Sequence, residues 1–468
     1  MADSPAQTLR SALATGSEDG VAAAAIFATQ AGLDDGHLAA IVAEQLAPWL
    51  PVLPPPVVWA LCDVPALASG VEADRRAVLW AVAFGLLAEA QRSTRPRSQP
   101  DAQAQAQQDS QPSLASAQSL ASAQTRTGDS SGSGSNSDWL ALTCLNPGDG
   151  AAAAVTALKV LELSDLAGTA VLLPALGAAI ANYPQQLAYT RGHAERRLGW
   201  QASLAVADSA RDQVNVRSFV EPKFRQHLLD GGCRGALRAV QRGAEVGIAH
   251  ELLAQSVVMA AADRLWRFDP QHDDDDSVAE GRGDAELVLV AASAMRQLRT
   301  RVPAQTWLQL LYFCSGLVAV HAPLDKASAD RIDLPEPQAL PQSWDHGPEI
   351  AKIIAHLRAG RATQFIAVLR GYFLLGLPEQ PLCALLREAA VGDFRGRLLD
   401  QARAISCLRA AIDEFAAAAG HPQRELILAA AMASVCAPSR PRQGAQQAQL
   451  AWQRAHIHWE QRNLVGDV

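Results

Sequence analysis

Residues 25–46 read AIFATQAGLDDGHLAAIVAEQL, residues 237–258 read LRAVQRGAEVGIAHELLAQSVV, and residues 365–386 read FIAVLRGYFLLGLPEQPLCALL. In each stretch an apolar helical pattern runs into a glycine (Gly32, Gly247, Gly376), and an apolar residue follows at once (Leu33, Ile248, Leu377). A short polar turn comes next, and a leucine recurs six residues after the glycine (Leu38, Leu253, Leu382). The physical reading is a helix closed by glycine in the left-handed conformation, with the next apolar residue folded back on the last turn. The polar turn then opens a second helix whose first buried position is that leucine. This repeated signal predicts an all-α fold of helical hairpins, packed as a bundle or short solenoid.

The second and third copies extend further. Thr300-Arg301-Val302-Pro303 followed by Trp307 and Leu308 resembles Ala419-Gly420-His421-Pro422 followed by Leu426 and Ile427. Two related four-helix units are therefore expected, near 235–321 and 363–437, with a more divergent N-terminal portion. From Pro303 onward, Trp307, Leu310, Leu311, Cys314, Val318 and His321 recur at spacings of three and four, which is one apolar stripe on a helix. Runs of alternating β-branched residues are lacking, so a sheet is not expected. Residues 91–138 are rich in Gln, Ser, Ala and Gly, contain a near-repeat of SLASAQ, and should form a disordered insertion. The chain thus divides into an N-terminal helical part (1–90), that insertion, a central helical part (139–335) and a C-terminal helical part (346–468) related to 235–321. Prolines 323, 335, 337 and 341 mark the second break.

Composition narrows the function classes. The 468 residues are 49% hydrophobic and only 5% aromatic, so the core is built from small and aliphatic side chains that suit helices. Forty basic residues against 48 acidic ones leave a net charge of −8, with no basic stripe to attract a phosphate backbone. Nucleic acid is not an expected partner. The first residues, MADSPAQTLRSALATG, lack the basic and apolar regions of a signal peptide, which points to the cytoplasm. Leu166–Ala181, the longest near-apolar stretch, contains Pro174 and is shorter than the roughly 20 apolar residues of a spanning helix, so it reads as a buried helix and no membrane is expected. The seven cysteines are scattered singly, which suits reduced, buried thiols rather than zinc ligands or disulfides.

Candidate site residues are few. His346, Glu349, Lys352 and His356 share one face of a helix starting near Pro348. Such a face could bind a metal or work as acid and base, although Lys352 would repel a cation. His193 sits among several ionisable groups in Arg191-Gly192-His193-Ala194-Glu195-Arg196-Arg197, where a polar surface turn is the simpler reading. His37 and His250 read as exposed first-turn residues, and His321 as a side chain meeting the end of a helix dipole. The acidic run Asp269 to Asp276 lacks the spacing of a calcium loop and reads as solvated. No nucleotide loop, nucleophile elbow, zinc-helix motif or paired E-x-x-H occurs, so no metal and no cofactor are expected.

The run Ala260 to Pro270 (AAADRLWRFDP), the Leu334-Pro335-Glu336-Pro337 linker and His421 to Leu426 (HPQREL) resemble a bacterial helical family similar to questin-oxidase-like proteins. Some members of that family carry a Rieske domain. The resemblance covers much of 230–468 and implies a helical fold. It also implies two functional segments that this chain lacks. Gly283 to Val288 contains no histidine, and Ala402 and Ile405 stand where an Asp-x-His-x-x-Lys pattern starting at Asp400 would place His and Lys. The paired C-x-H and C-x-x-H ligands of a Rieske cluster are absent too. The expected function is a non-catalytic helical scaffold or partner-binding component, working with a protein such as a redox component. The alternative is a questin-oxidase-like oxidoreductase acting on an apolar aromatic or polyketide-like substrate in a cavity between helices.

Overall fold

A computed structural model describes residues 4–15, 18–68, 73–94, 150–181, 219–273, 282–326, 334, 336–337, 347–358, 361–391 and 398–435. Among these residues the fold is all-α, and no strand is formed; Phe268 and Asp325 make an isolated antiparallel bridge. The helices are α1 (Pro5–Thr15), α2 (Glu18–Gln30), α3 (Asp35–Leu46), α4 (Pro55–Ala68), α5 (Ala73–Thr94), α6 (Gly150–Ala167) and α7 (Leu173–Ala181). They continue with α8 (Glu221–Asp230), α9 (Gly232–Glu245), α10 (His250–Arg267), α11 (Arg282–Leu298) and α12 (Ala304–Val320). The last are α13 (Gly347–Arg358), α14 (Ala362–Leu374), α15 (Glu379–Val391), α16 (Leu398–Ala417) and α17 (Glu425–Val435).

The three repeated turns share one geometry. Gly32, Gly247 and Gly376 have φ of 90°, 76° and 63°, the left-handed region that glycine enters without a Cβ clash. The following amides reach back five residues: Leu33 N to Ala28 O at 3.1 Å, Ile248 N to Gly243 O at 2.9 Å, and Leu377 N to Tyr372 O at 3.4 Å. These are the closing bonds of Schellman turns. Leu38, Leu253 and Leu382 are each fully buried one turn later. Gly247→Val should therefore cost about 1 kcal/mol or more, because a β-branched side chain is strained at positive φ. Thermal unfolding of the variant checks this, and an unchanged melting temperature would refute the strain.

The helices on either side of each turn take their main partners elsewhere, and they do so in one order. In 18–94, α2 packs on α5, α3 touches α4, and α4 packs on α5. The same pairings, first with fourth, second with third and third with fourth, hold for α9–α12 and for α14–α17. A lead-in helix also lies against the first helix each time, as α1 on α2, α8 on α9 and α13 on α14. Residues 5–94, 221–320 and 347–435 are thus three units of one packing plan, and the N-terminal portion follows it despite its divergence. A common detail sits at the start of each second helix. Asp35 accepts from Trp80 Nε1 at 2.9 Å, His250 stacks on Trp307 with ring centroids 5.0 Å apart, and Glu379 pairs with Arg424. In all three, a residue just before the fourth helix or within its first eight residues grips the position three after the turn glycine.

The third helices of the units meet at the centre. There α4 and α11 both pack on α16, while α6 packs on α4 and α11. One hydrophobic cluster runs from Leu9 to Met432 through this junction, and Trp59, Trp80 and Trp307 are buried within it.

Two boundaries differ from the sequence expectations. Helix α5 runs to Thr94, so residues 91–94 are helical rather than part of the insertion. Gln91 is buried there, and its amide donates to the Gln45 carbonyl at 3.3 Å. Residues 95–138 lie outside the described residues. Leu166–Ala181 is not a single buried helix. Gly168 turns the chain at φ 61°, the Thr169 amide closes on Ser164 O at 3.1 Å, and Leu166 and Val171 are exposed. Glycine's access to positive φ outweighs the continuous apolar pattern there. Among the described residues Thr306–Leu324 is long and apolar enough to cross a membrane, but 83% of it is buried in the centre of the fold, as a core helix would be.

Candidate functional site

The four central helices each bury one charge: Asp63 on α4, Lys159 on α6, Glu286 on α11 and Glu414 on α16. Asp63 and Lys159 lie in otherwise apolar helical stretches, so burying the apolar face carries the charge inward with it. An isolated buried charge is strongly unfavourable, and the structure supplies partners.

Lys159 Nζ lies 2.8 Å from Asp63 Oδ1 and 3.7 Å from Glu162 Oε2. Burial alone would drive the proton from this amine, but the charges of Asp63 and Glu162 outweigh it and hold the pKa above the ordinary lysine value. Arg409 on α16 stands in the same field. Its Nε is 2.7 Å from Asp413 Oδ2, and burial is outweighed by Asp413, then Asp63 and Glu162, so its pKa is also raised. Glu162 reaches Arg301 at 3.9 Å. Beside this group, Trp59 Nε1 donates to Thr156 Oγ1 at 2.7 Å and ties α4 to α6. Cys62 is fully enclosed next to Asp63, and burial, reinforced by that carboxylate, pushes its thiol pKa well above normal.

On the other side of α16, Glu414 accepts from Ser293 Oγ at 2.8 Å and from Arg296 Nε at 2.5 Å, both on α11. Burial raises its pKa despite these two donors. Glu286 on α11 accepts from the Ser434 hydroxyl on α17. Another buried cation belongs to α10. Arg264 donates through Nε to Val318 O at 2.9 Å, through Nη1 to Asp325 Oδ2 at 2.5 Å, and through Nη2 to Leu229 O at 2.5 Å. One guanidinium thereby clamps the ends of α8 and α12 against α10.

These arrangements define the available chemistry. An amine nucleophile must lose its proton and a thiol nucleophile must be a thiolate. Lys159 is held as an ammonium and Cys62 as a thiol. Both oxygens of Glu414 already accept hydrogen bonds. Among the described residues no group of three His, Cys, Asp or Glu side chains could hold a metal ion.

His193 and His346 lie outside the described residues. Glu349 falls within α13, on which His356 is half-buried and Lys352 exposed. His37 is exposed as expected, held by Asp34 Oδ1 at 2.8 Å, and His227 is exposed on α8. His250 is half-buried against Trp307 rather than exposed, because that tryptophan covers the turn. His321 caps α12 with Nδ1 2.8 Å from Leu317 O, as the helix-end reading anticipated. Of the cysteines, Cys62, Cys314 and Cys407 are buried and Cys233 and Cys383 half-buried, while Cys144 and Cys436 lie outside the described residues. Of the acidic run, Pro270–Asp273 forms a 3₁₀ turn begun by Asp269, whose Oδ1 accepts from Gln271 N at 3.0 Å.

One histidine carries a pH dependence. His421 sits before α17, where its Nδ1 accepts the Gln423 amide at 3.1 Å; Gln423 Oε1 in turn accepts from Arg225 Nη2 at 2.5 Å. Burial, then the nearby Arg225 charge, lowers the His421 pKa. The folded state thus prefers neutral imidazole, and the unfolded chain binds the proton more readily. Stability from this site is complete above about pH 6.5 and is lost as pH falls through the lowered value. Melting temperatures measured from pH 8 down to pH 5 should fall more steeply for the native chain than for His421→Asn. Parallel curves would refute the assignment.

Asp63, Lys159, Glu162, Arg409 and Glu414 were not singled out by sequence. A signal existed: Lys159 is one of only four lysines and interrupts the apolar run AAAAVTALKVLEL. Its partner Asp63 is nearly a hundred residues away, on α4 of the first unit, where local spacing gives no hint.

Comparison of the chain with models of protein families, with curated proteins and with solved structures finds no match.

Proposed function

We propose that the chain is a non-catalytic helical scaffold or partner-binding component that works beside a protein such as a redox component. The observation that supports this most is how the interior charges are used. Asp63 with Lys159, Glu414 with Arg296, and Arg264 with Asp325 each join separate segments of the fold, in arrangements that lock rather than free a reactive group. The resemblance to questin-oxidase-like proteins belongs to the same proposal as a kinship of fold. Ala402 and Ile405, at the places that the family pattern assigns to His and Lys, are fully buried apolar side chains.

On this reading, an exposed apolar residue is the contact to test. Leu374, at the end of α14 beside the third repeated turn, is 74% exposed. A partner captured by cross-linking in native cells should re-form a complex with the chain from purified components. Leu374→Glu should weaken that complex at least tenfold while leaving the melting temperature unchanged. Oxygen consumption that depends on an added aromatic polyketide, or stoichiometric iron or flavin surviving purification, would overturn this reading and promote the oxidoreductase.

A further inference from the structure

Apart from Asp63 Oδ1, which faces Lys159 Nζ, and Ser164 Oγ on α6, the junction of α4, α6 and α16 contains three buried polar atoms with no hydrogen-bond partner among the described residues: Asp63 Oδ2, Ser406 Oγ and Arg409 Nη1. Asp63 is fully buried and Ser406 is 1% exposed. At 3.6 residues per turn, Ser406, Arg409 and Asp413 fall within about 60° on α16, so they address one direction. Glu414 lies on a different side of α16, where it is already engaged by α11. The shared direction is towards α4 and α6, because the charges of Asp63 and Glu162 both bear on Arg409.

The three atoms are complementary. Asp63 Oδ2 can only accept, Arg409 Nη1 can only donate, and the Ser406 hydroxyl can do either. Leaving any of them unmade inside a protein costs the desolvation of that group. The surrounding charges balance, with Lys159, Arg409 and Arg301 against Asp63, Glu162 and Asp413. An added ion would break that balance, whereas a neutral molecule that both donates and accepts would not. We infer that one internal water molecule bridges Asp63 Oδ2, Ser406 Oγ and Arg409 Nη1 and completes the joint between the first and third units. Buried waters typically make about three hydrogen bonds, the number offered here.

A high-resolution crystal structure of the full chain tests this. The expected result is a single solvent peak within about 2.7–3.2 Å of all three atoms. A reoriented Asp63 bonded directly to Arg409 Nη1, or a peak that refines as an ion, would overturn it. Ser406→Ala removes one partner with little change of volume, so the peak's occupancy should drop while the Asp63–Lys159 pair stays in place. Undiminished occupancy in that variant would remove Ser406 from the site and refute the three-partner bridge.

Discussion

Lys159→Met should destabilise the protein by about 3–5 kcal/mol, the usual cost of removing one partner from a buried ion pair. Asp63 is fully buried, and Lys159 Nζ, 2.8 Å away, is its near cation. Without it the carboxylate must remain charged among apolar side chains or take up a proton, and either route costs the native state. The double variant Asp63→Leu/Lys159→Met removes both charges at similar volume, and such exchanges are often neutral or stabilising. Denaturant unfolding of the two single variants and the double variant gives the coupling between them. If the double variant is as unstable as Lys159→Met alone, packing rather than charge pairing is what Lys159 contributes.

Arg264→Met is expected to cost a similar amount, about 3–5 kcal/mol, because it takes the guanidinium from a buried aspartate. It also strips two main-chain carbonyls, Leu229 O and Val318 O, of their donor. Arg264→Lys should restore little. A single ammonium on a flexible stem cannot reproduce a planar fork that reaches three acceptors in three directions. Chemical denaturation read by circular dichroism checks both variants, and recovery by lysine would show that charge alone sustains the clamp. The loss should be felt first at the ends of α8 and α12, which hydrogen exchange would resolve.

The repeated turn was legible in the sequence because its cause is local. A positive φ at Gly32, Gly247 and Gly376, an apolar residue folded back and a buried leucine six positions on all lie within one short segment. The four-helix grouping of 235–321 and 363–437 was legible for the same reason, through landmarks repeated along the chain. Beyond its turn the N-terminal unit was not, since the rest of its kinship lies in which helices touch, as α2 with α5 and α4 with α5, rather than in residues that align. The break at Gly168 escaped notice because the apolar pattern continues across it.

The interior charges show where that division falls. The chain itself determined that its segments would be helices, where three of the turns would close, and that certain charged residues would sit on apolar faces. It did so because helix propensity, glycine's backbone freedom and the 3.6-residue period act between near neighbours. Which charge meets which was decided only by tertiary packing. Asp63 finds Lys159 on α6, and Glu414 finds Arg296 on α11, because α4, α6, α11 and α16 converge at the centre. Burial pressure there acts on all four helices at once, and a charge carried inward survives only where another helix delivers its counterpart.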